Sequence, residues 1–292
     1  MIRISHLTKR FGTMDAVKDL SLTVQRGEAV GFIGPNGAGK STTIRCLLGF
    51  IRPSDGQLSV GGFDCWSESV PIHRQVGYVP GEVILPDNVT GRQFLRDMQL
   101  LRRIRNEGRL NELIGRFAFS LDLPIRQMSK GTRQKLALIA AFFHDPSVFI
   151  LDEPTSGLDP VMQHVVLDLL REEHERGKTI FMSSHIFTEI ERTCDKVAMI
   201  KAGQLITWDD INRLRSQKNT VFEITLETVK DADKLAYEST LAILERQGTT
   251  VTVAVRGDYQ ALFKALATVS VLNFQQRTQD LETVFEHLYS KE

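Results

Sequence analysis

Short apolar runs alternate with segments of helical periodicity over much of the chain. Ala29-Val30-Gly31-Phe32-Ile33 and Val148-Phe149-Ile150-Leu151 are unbroken runs, the pattern of strands buried on both faces of a parallel sheet. Val76 to Val79, Thr179 to Met182 and Lys196 to Ile200 predict further short strands. Between them, Lys40 to near Gly49, Val161 to Glu175 and Phe187 to Thr193 read as helices. This alternation predicts a parallel α/β core. At the N-terminal end, Ile2 to Leu7 and Ala16 to Val24 predict strands joined by a turn at Lys9-Arg10-Phe11-Gly12. Gln57 to Val60 predicts a short strand, and residues 202–206 a closing hairpin.

The pattern changes at residues 86–145, where strand signals vanish. Thr90 caps a predicted helix through Leu101, a second covers Glu107 to Phe119, and a third begins near Lys130. These form an inserted helical lobe. Beyond about Arg215 the pattern restarts. Phe222, Ile224 and Leu226 alternate, as do Val251, Val253 and Val255, and Asp258 to Ala267 reads as a helix. Leu281, Val284, Phe285 and Leu288 predict a terminal helix. The expected division is therefore residues 1–215 and a small α+β domain at 216–292.

Composition narrows the function classes. The 292 residues are 42% hydrophobic, enough for a sizeable core, and carry no net charge, so no basic field points to nucleic acid. The arginines of the helical lobe, from Arg92 to Arg105, lack interleaved aromatics and fit a solvated or partner-facing surface better than a nucleic-acid patch. The longest apolar run, Leu136 to Phe143, is too short to span a bilayer. Three scattered cysteines without a C-x-x-C pair suggest reduced thiols in the cytoplasm.

The chemistry starts at Gly34-Pro35-Asn36-Gly37-Ala38-Gly39-Lys40-Ser41-Thr42, which has the form G-x-x-x-x-G-K-[ST]. Glycines let successive backbone N–H groups converge on an anion, and a helix N-terminus adds positive potential. Lys40 can reach the outer phosphates of a nucleotide, and the Ser41 hydroxyl can ligate Mg²⁺. A predicted strand precedes the loop and a predicted helix follows, which separates it from a chance glycine-rich turn. Asp152 and Glu153 end another buried strand, where ligands bind in such sheets. Asp152 is placed to hold Mg²⁺ through water, and Glu153 to orient or deprotonate an attacking water.

The following residues carry a resemblance. Leu151-Asp152-Glu153-Pro154-Thr155-Ser156-Gly157-Leu158-Asp159-Pro160 strongly resembles the Walker B and D-loop segment of ATP-binding-cassette (ABC) ATPases. Met128-Ser129-Lys130-Gly131-Thr132-Arg133-Gln134 is similar to that family's signature, His185 in Ser183-Ser184-His185 to its switch histidine, and Phe11 with Gly12 to its adenine-stacking loop. The resemblance covers about Met1 to Arg215. It implies a P-loop NTPase fold: a parallel sheet, an antiparallel β subdomain and the helical lobe. It implies ATP and Mg²⁺ as ligands and a dimer of two such subunits. Ser129 and Gly131 of one chain would close over the γ-phosphate held by the other. Asp159 would lie at the interface, and His185 would contact the γ-phosphate.

Two departures stand out. Lys130 occupies a position where the family keeps glycine. The family also places a glutamine after the strand at Val76 to Val79, where this chain has Gly81-Glu82. Two readings stay open: Glu82 replaces that metal-contacting amide, or the position is vacant. The resemblance, including Asp280-Leu281-Glu282-Thr283-Val284-Phe285, points to the ATPase subunit of a drug- or antibiotic-type exporter. Such a subunit acts peripherally on the cytoplasmic membrane face with a separate integral permease. An importer ATPase and a soluble ABC ATPase acting on ribosomes or nucleic acid are the alternatives.

Overall fold

A computed structural model describes residues 1–104, 107–216, 220–255 and 259–277. The chain divides into two compact units, Met1–Ile211 and Asn212–Glu292.

The first unit opens with β1 (Ile2–Phe11) and β2 (Met14–Val24), then β3 (Ala29–Ile33) and α1 (Lys40–Leu47). Next come β4 (Asp55–Val60), β5 (Phe63–Asp64), α2 (Ser69–Gln75) and β6 (Val76–Val79). The helical lobe holds α3 (Gly91–Arg102), α4 (Gly108–Phe117) and α5 (Lys130–Phe142). The core resumes with β7 (Val148–Asp152), α6 (Pro160–Glu175), β8 (Thr179–Ser184), α7 (Phe187–Thr193), β9 (Lys196–Lys201) and β10 (Gln204–Asp210). A short helix, α8 (Ile211–Ser216), follows.

Two sheets result. A six-stranded sheet has the order β10-β9-β3-β8-β7-β6, with β3, β6, β7, β8 and β9 parallel and β10 antiparallel to β9. A four-stranded antiparallel sheet has the order β2-β1-β4-β5. One core cluster runs from Ile4, Leu20 and Val60 of the antiparallel sheet through Ile44 and Leu47 of α1 to Phe32, Ile150 and Phe181 of the parallel sheet. It fixes the helix after the phosphate loop between the two sheets.

Local chemistry explains most boundaries. Thr90 closes a capping box at α3: its side chain accepts from the Gln93 N–H, and Gln93 Oε1 accepts from the Thr90 N–H. Ser129 and Asp159 cap α5 and α6 in the same way, each accepting a backbone N–H with its side chain. The expected turn at Lys9 to Gly12 is corrected: β1 continues to Phe11, which pairs with Met14, and the chain reverses at Gly12 with φ 59°. Register shifts along β1 let it continue past the point where its alternation fades. Salt bridges from Arg109 to Glu173 and from Arg116 to Glu172 tie α4 to α6, so the lobe is anchored to the core.

The second unit contains β11 (Thr220–Leu226), α9 (Val229–Ala236), β12 (Ala242–Gln247), β13 (Thr250–Val255), α10 (Gln260–Leu266) and β14 (Val271–Arg277). Its antiparallel sheet has the order β12-β13-β11-β14. Phe222, Ile224, Leu226, Val251 and Val253 pack with Leu235 and Leu262 of the helices, the alternation expected for a sheet covered on one face. The terminal helix expected at Leu281 to Leu288 lies outside the described residues.

Candidate nucleotide site

The loop between β3 and α1 gathers the phosphate-binding elements. Gly37 and Gly39 adopt φ 81° and 106°, and a Cβ on Gly39 would stand 2.5 Å from the Ala16 carbonyl oxygen. Only glycine serves there, on conformational and on steric grounds. Lys40, the first residue of α1, is buried, and its Nζ donates to Gly34 O at 2.6 Å and Pro35 O at 3.2 Å. Burial pulls the Lys40 pKa down, and the Glu153 and Asp152 carboxylates oppose that pull. The loop borders a cleft of about 360 Å³ lined by Phe11, Asn36, Gly37, Gly39, Lys40, Ser41, Thr42 and Glu153. Phe11 is 47% exposed at its rim, with Lys9 Nζ 4.9 Å from its ring centroid. Met14, Asp15, Ala16 and Ala202 complete the wall. Sequence reasoning left them out because they come from the hairpin and from the β9–β10 turn, which only the fold brings to the loop.

Both carboxylates stand at the C-terminal end of β7, beside the end of β8. Asp152 is 4% exposed, and its Oδ1 accepts from Ser183 Oγ at 2.5 Å. Glu153 takes the left-handed conformation at φ 49°, uncommon for a residue with a long side chain. Its N–H donates to Ser183 O and Ser183 Oγ, each at 3.1 Å, and its carbonyl accepts from the Ser156 N–H at 3.0 Å. These bonds hold a backbone conformation that costs about 1–3 kcal/mol. Glu153 Oε1 sits 3.7 Å from Lys40 Nζ and 3.3 Å from His185 Nδ1. The structure thus joins the loop, Glu153 and exposed His185 in one polar group, although 145 positions separate Lys40 and His185 (185 − 40).

Other sequence candidates lie elsewhere. Ser129, Gly131 and Asp159 are not among the residues lining the cleft. Ser129 and Asp159 are exposed at the starts of α5 and α6. Gly131 backs onto Gly157, whose carbonyl oxygen would be 2.8 Å from a Cβ at 131. The Lys130 side chain lies along Gly157. Pro35 is exposed on the loop, whereas Gly34 and Ala38 are buried beneath it.

Glu82, read as a replacement for the metal-contacting amide or as a vacant position, follows the C-terminal end of β6. Gly81 is the residue against Asp152: a Cβ at 81 would come 3.0 Å from Asp152 Oδ2. Glu82, one residue on, is exposed. The tight approach to Asp152 favours hydrogen at position 81.

The sequence between Val17 and Ser156 matches the ABC transporter family profile, over residues 17–156. The chain is 35% identical to the ABC transporter ATP-binding protein NatA of Bacillus subtilis, over 70% of this chain and 88% of NatA. The chain belongs to the ABC transporter family. The cassette is accordingly an ATP-binding subunit of the kind that hydrolyses ATP. It is also 33% identical to the Nod factor export ATP-binding protein I of Ralstonia nicotianae, covering 100% of this chain and 94% of that protein. Its fold superimposes on a dimeric ATP-binding cassette solved in a post-hydrolysis state with ADP and Pi. That match has a TM-score of 0.66 at 21% identity and covers 72% of this chain and 99% of the other.

The donor set of the cassette suits a hard cation. Ser41 offers a hydroxyl and Asp152 a buried carboxylate, both oxygen donors. Among the described residues, no group of three or more His, Cys, Asp or Glu side chains could hold a metal by itself. Mg²⁺ is suited to such a place, because it is typically bound by one or two protein oxygens with phosphate and water completing its shell. Among the described residues, no helix is long and apolar enough to cross a membrane.

Proposed function

We propose that this cassette binds ATP with Mg²⁺, pairs with a second ATP-binding subunit, most simply a copy of itself, and powers export through a separate integral permease. The supporting observation is the separation of its two anion-directed elements. Lys40 and Glu153 line the cleft and His185 contacts Glu153, whereas Ser129, Gly131 and Asp159 are not part of its lining. A second subunit facing the first would bring its Ser129 and the start of its α5 onto the nucleotide, with Asp159 between the two sites. That a cassette of like fold was solved as a dimer with ADP and Pi supports pairing of two subunits.

Within the cleft, backbone N–H groups of Gly37 to Gly39 and the start of α1 receive the phosphates, and Phe11 offers a face for the adenine. Ser41 and Asp152 would hold Mg²⁺, which would supply charge neutralisation to the phosphates. Lys40 turns from the loop carbonyls to the γ-phosphate. Glu153 orients the attacking water and takes its proton, with His185 against its Oε1 and the γ-phosphate.

A separate groove of about 690 Å³, lined by His73, Arg74, Leu101, Arg102, Arg103 and Ile104 among others, lies between the parallel-sheet core and the helical lobe. Its rim includes Val70 and Leu101, which are 62% and 79% exposed. Such a surface suits a segment of the permease on the cytoplasmic face of the membrane. Export is favoured over import by the relative named for Nod factor export, which matches along the whole chain.

The test is Glu153→Gln. It should bind ATP with unchanged affinity, lose turnover by roughly a hundredfold or more, and accumulate as an ATP-bound dimer in gel filtration. Affinity purification of that variant from membranes should recover a polytopic protein. Parent-level hydrolysis by Glu153→Gln would refute the assignment of the base, and recovery of ribosomes or nucleic acid would refute the transport reading.

A further inference from the structure

Glu189 is a buried carboxylate that the site described above does not use. It is 5% exposed and lies on α7, four residues beyond His185. Among the described residues no basic side chain forms a salt bridge with it. Two hydroxyls satisfy it instead: Thr155 Oγ1 donates to its Oε1 at 2.6 Å, and Ser184 Oγ donates to its Oε2 at 2.7 Å. A buried carboxylate is costly even when hydrogen-bonded, so an acid is a poor choice if packing alone were needed here.

Both partners flank the reacting groups. Thr155 is two residues beyond Glu153, and Ser184 immediately precedes His185. Ser184 Oγ also accepts the Ile186 N–H at 2.9 Å, so the turn carrying His185 is closed by the hydroxyl that Glu189 holds. On the other side, the carbonyl of Pro154 accepts from buried Gln134 Nε2 at 2.8 Å, and Gln134 belongs to the helix capped by Ser129. The connected path therefore runs from α5 through Pro154 and Thr155 to Glu189, and then to the His185 turn.

We propose that Glu189 is a positioning residue for ATP hydrolysis, bracing the segment after Glu153 and the His185 turn so that Glu153 and His185 keep their mutual contact. The proposal rests on the roles given above to Glu153 and His185. It differs from a purely structural role in one respect: the effect on turnover must pass through His185.

The experiment measures steady-state ATP hydrolysis by the full chain for Glu189→Ala, Glu189→Gln and Thr155→Val, each alone and combined with His185→Ala. Glu189→Ala should lower kcat about tenfold with KM for ATP essentially unchanged. Glu189→Gln, which can bridge one hydroxyl as acceptor and the other as donor, should recover most of that loss. In the His185→Ala background, Glu189→Ala should cost nothing further in kcat. Thr155→Val loses one of the two bonds and should show the same dependence on His185. It carries the test if Glu189→Ala does not fold. Losses that simply add to that of His185→Ala, or a changed KM with intact kcat, would overturn the proposal while leaving the site assignment standing. Full activity of His185→Ala would overturn both.

Discussion

Ser183 offers the sharpest test of how the cassette arranges its acidic residues. Its hydroxyl donates to Asp152 Oδ1 at 2.5 Å and accepts from the Glu153 N–H at 3.1 Å. Ser183→Ala removes both bonds without adding volume. The second loss is small, because the Glu153 N–H keeps the Ser183 carbonyl at 3.1 Å. The first matters more, because Asp152 is only 4% exposed and water cannot readily replace the donor. Hydrogen bonds to charged groups contribute about 1.5–3 kcal/mol, so a loss of about 2 kcal/mol is expected. For a unit of this size that lowers Tm by roughly 4–8 °C, measurable by circular dichroism. The functional effect should exceed the stability effect. A freed Asp152 carboxylate no longer points one way, and loss of such an orienting bond typically costs 10–100-fold in metal affinity or activity. Titrating ATPase activity with Mg²⁺ should therefore give half-activation at roughly tenfold higher concentration, with nucleotide binding in the absence of metal unchanged. An unaltered Mg²⁺ titration, whatever the change in Tm, would refute the claim that Ser183 orients the carboxylate.

Gly81→Ala places a methyl 3.0 Å from Asp152 Oδ2 and should push the carboxylate aside, weakening Mg²⁺-dependent hydrolysis; Glu82→Ala, on the exposed residue, should leave it unchanged, and the two are compared by the same titration. His144 tests the pH dependence of folding. Burial lowers its pKa to about 4 from 6.5, so the folded state refuses a proton that the unfolded chain accepts in that window. Stability should fall as pH drops from 6.5 toward 4, by about 2 kcal/mol after allowance for partial exposure, and then level off for this group. Urea unfolding at pH 7 and pH 4.5 should show a smaller pH difference for His144→Gln than for the parent; an identical difference would discard the assignment.

Much of the cassette was legible in the sequence because its signals are local. A glycine loop between a buried strand and a helix specifies an anion site over a few residues. Thr90 announces a helix start because it satisfies an orphan N–H within its own turn. The buried parallel strands declare themselves as unbroken apolar runs. Strands β12 and β14 do not: their residues are largely exposed, so Ala242–Gln247 and Val271–Arg277 carry no clear apolar alternation. They become strands by pairing with β13 and β11.

What the tertiary structure decided is which groups meet. Asp152 and Glu153 are adjacent in the chain, but the hydroxyl that orients them is 31 positions from Asp152, on the neighbouring parallel strand. Glu189 reads as one more helix acid until Thr155 and Ser184 are found on its two oxygens. That Gly81 packs against Asp152 while Glu82 is exposed depends on where the chain leaves β6, which no residue type encodes alone. Phosphate binding follows from local backbone geometry and is therefore written in consecutive residues. The meeting of Asp152, Glu153 and Ser183 depends on strand order, because parallel pairing brings the C-terminal ends of β7 and β8 side by side.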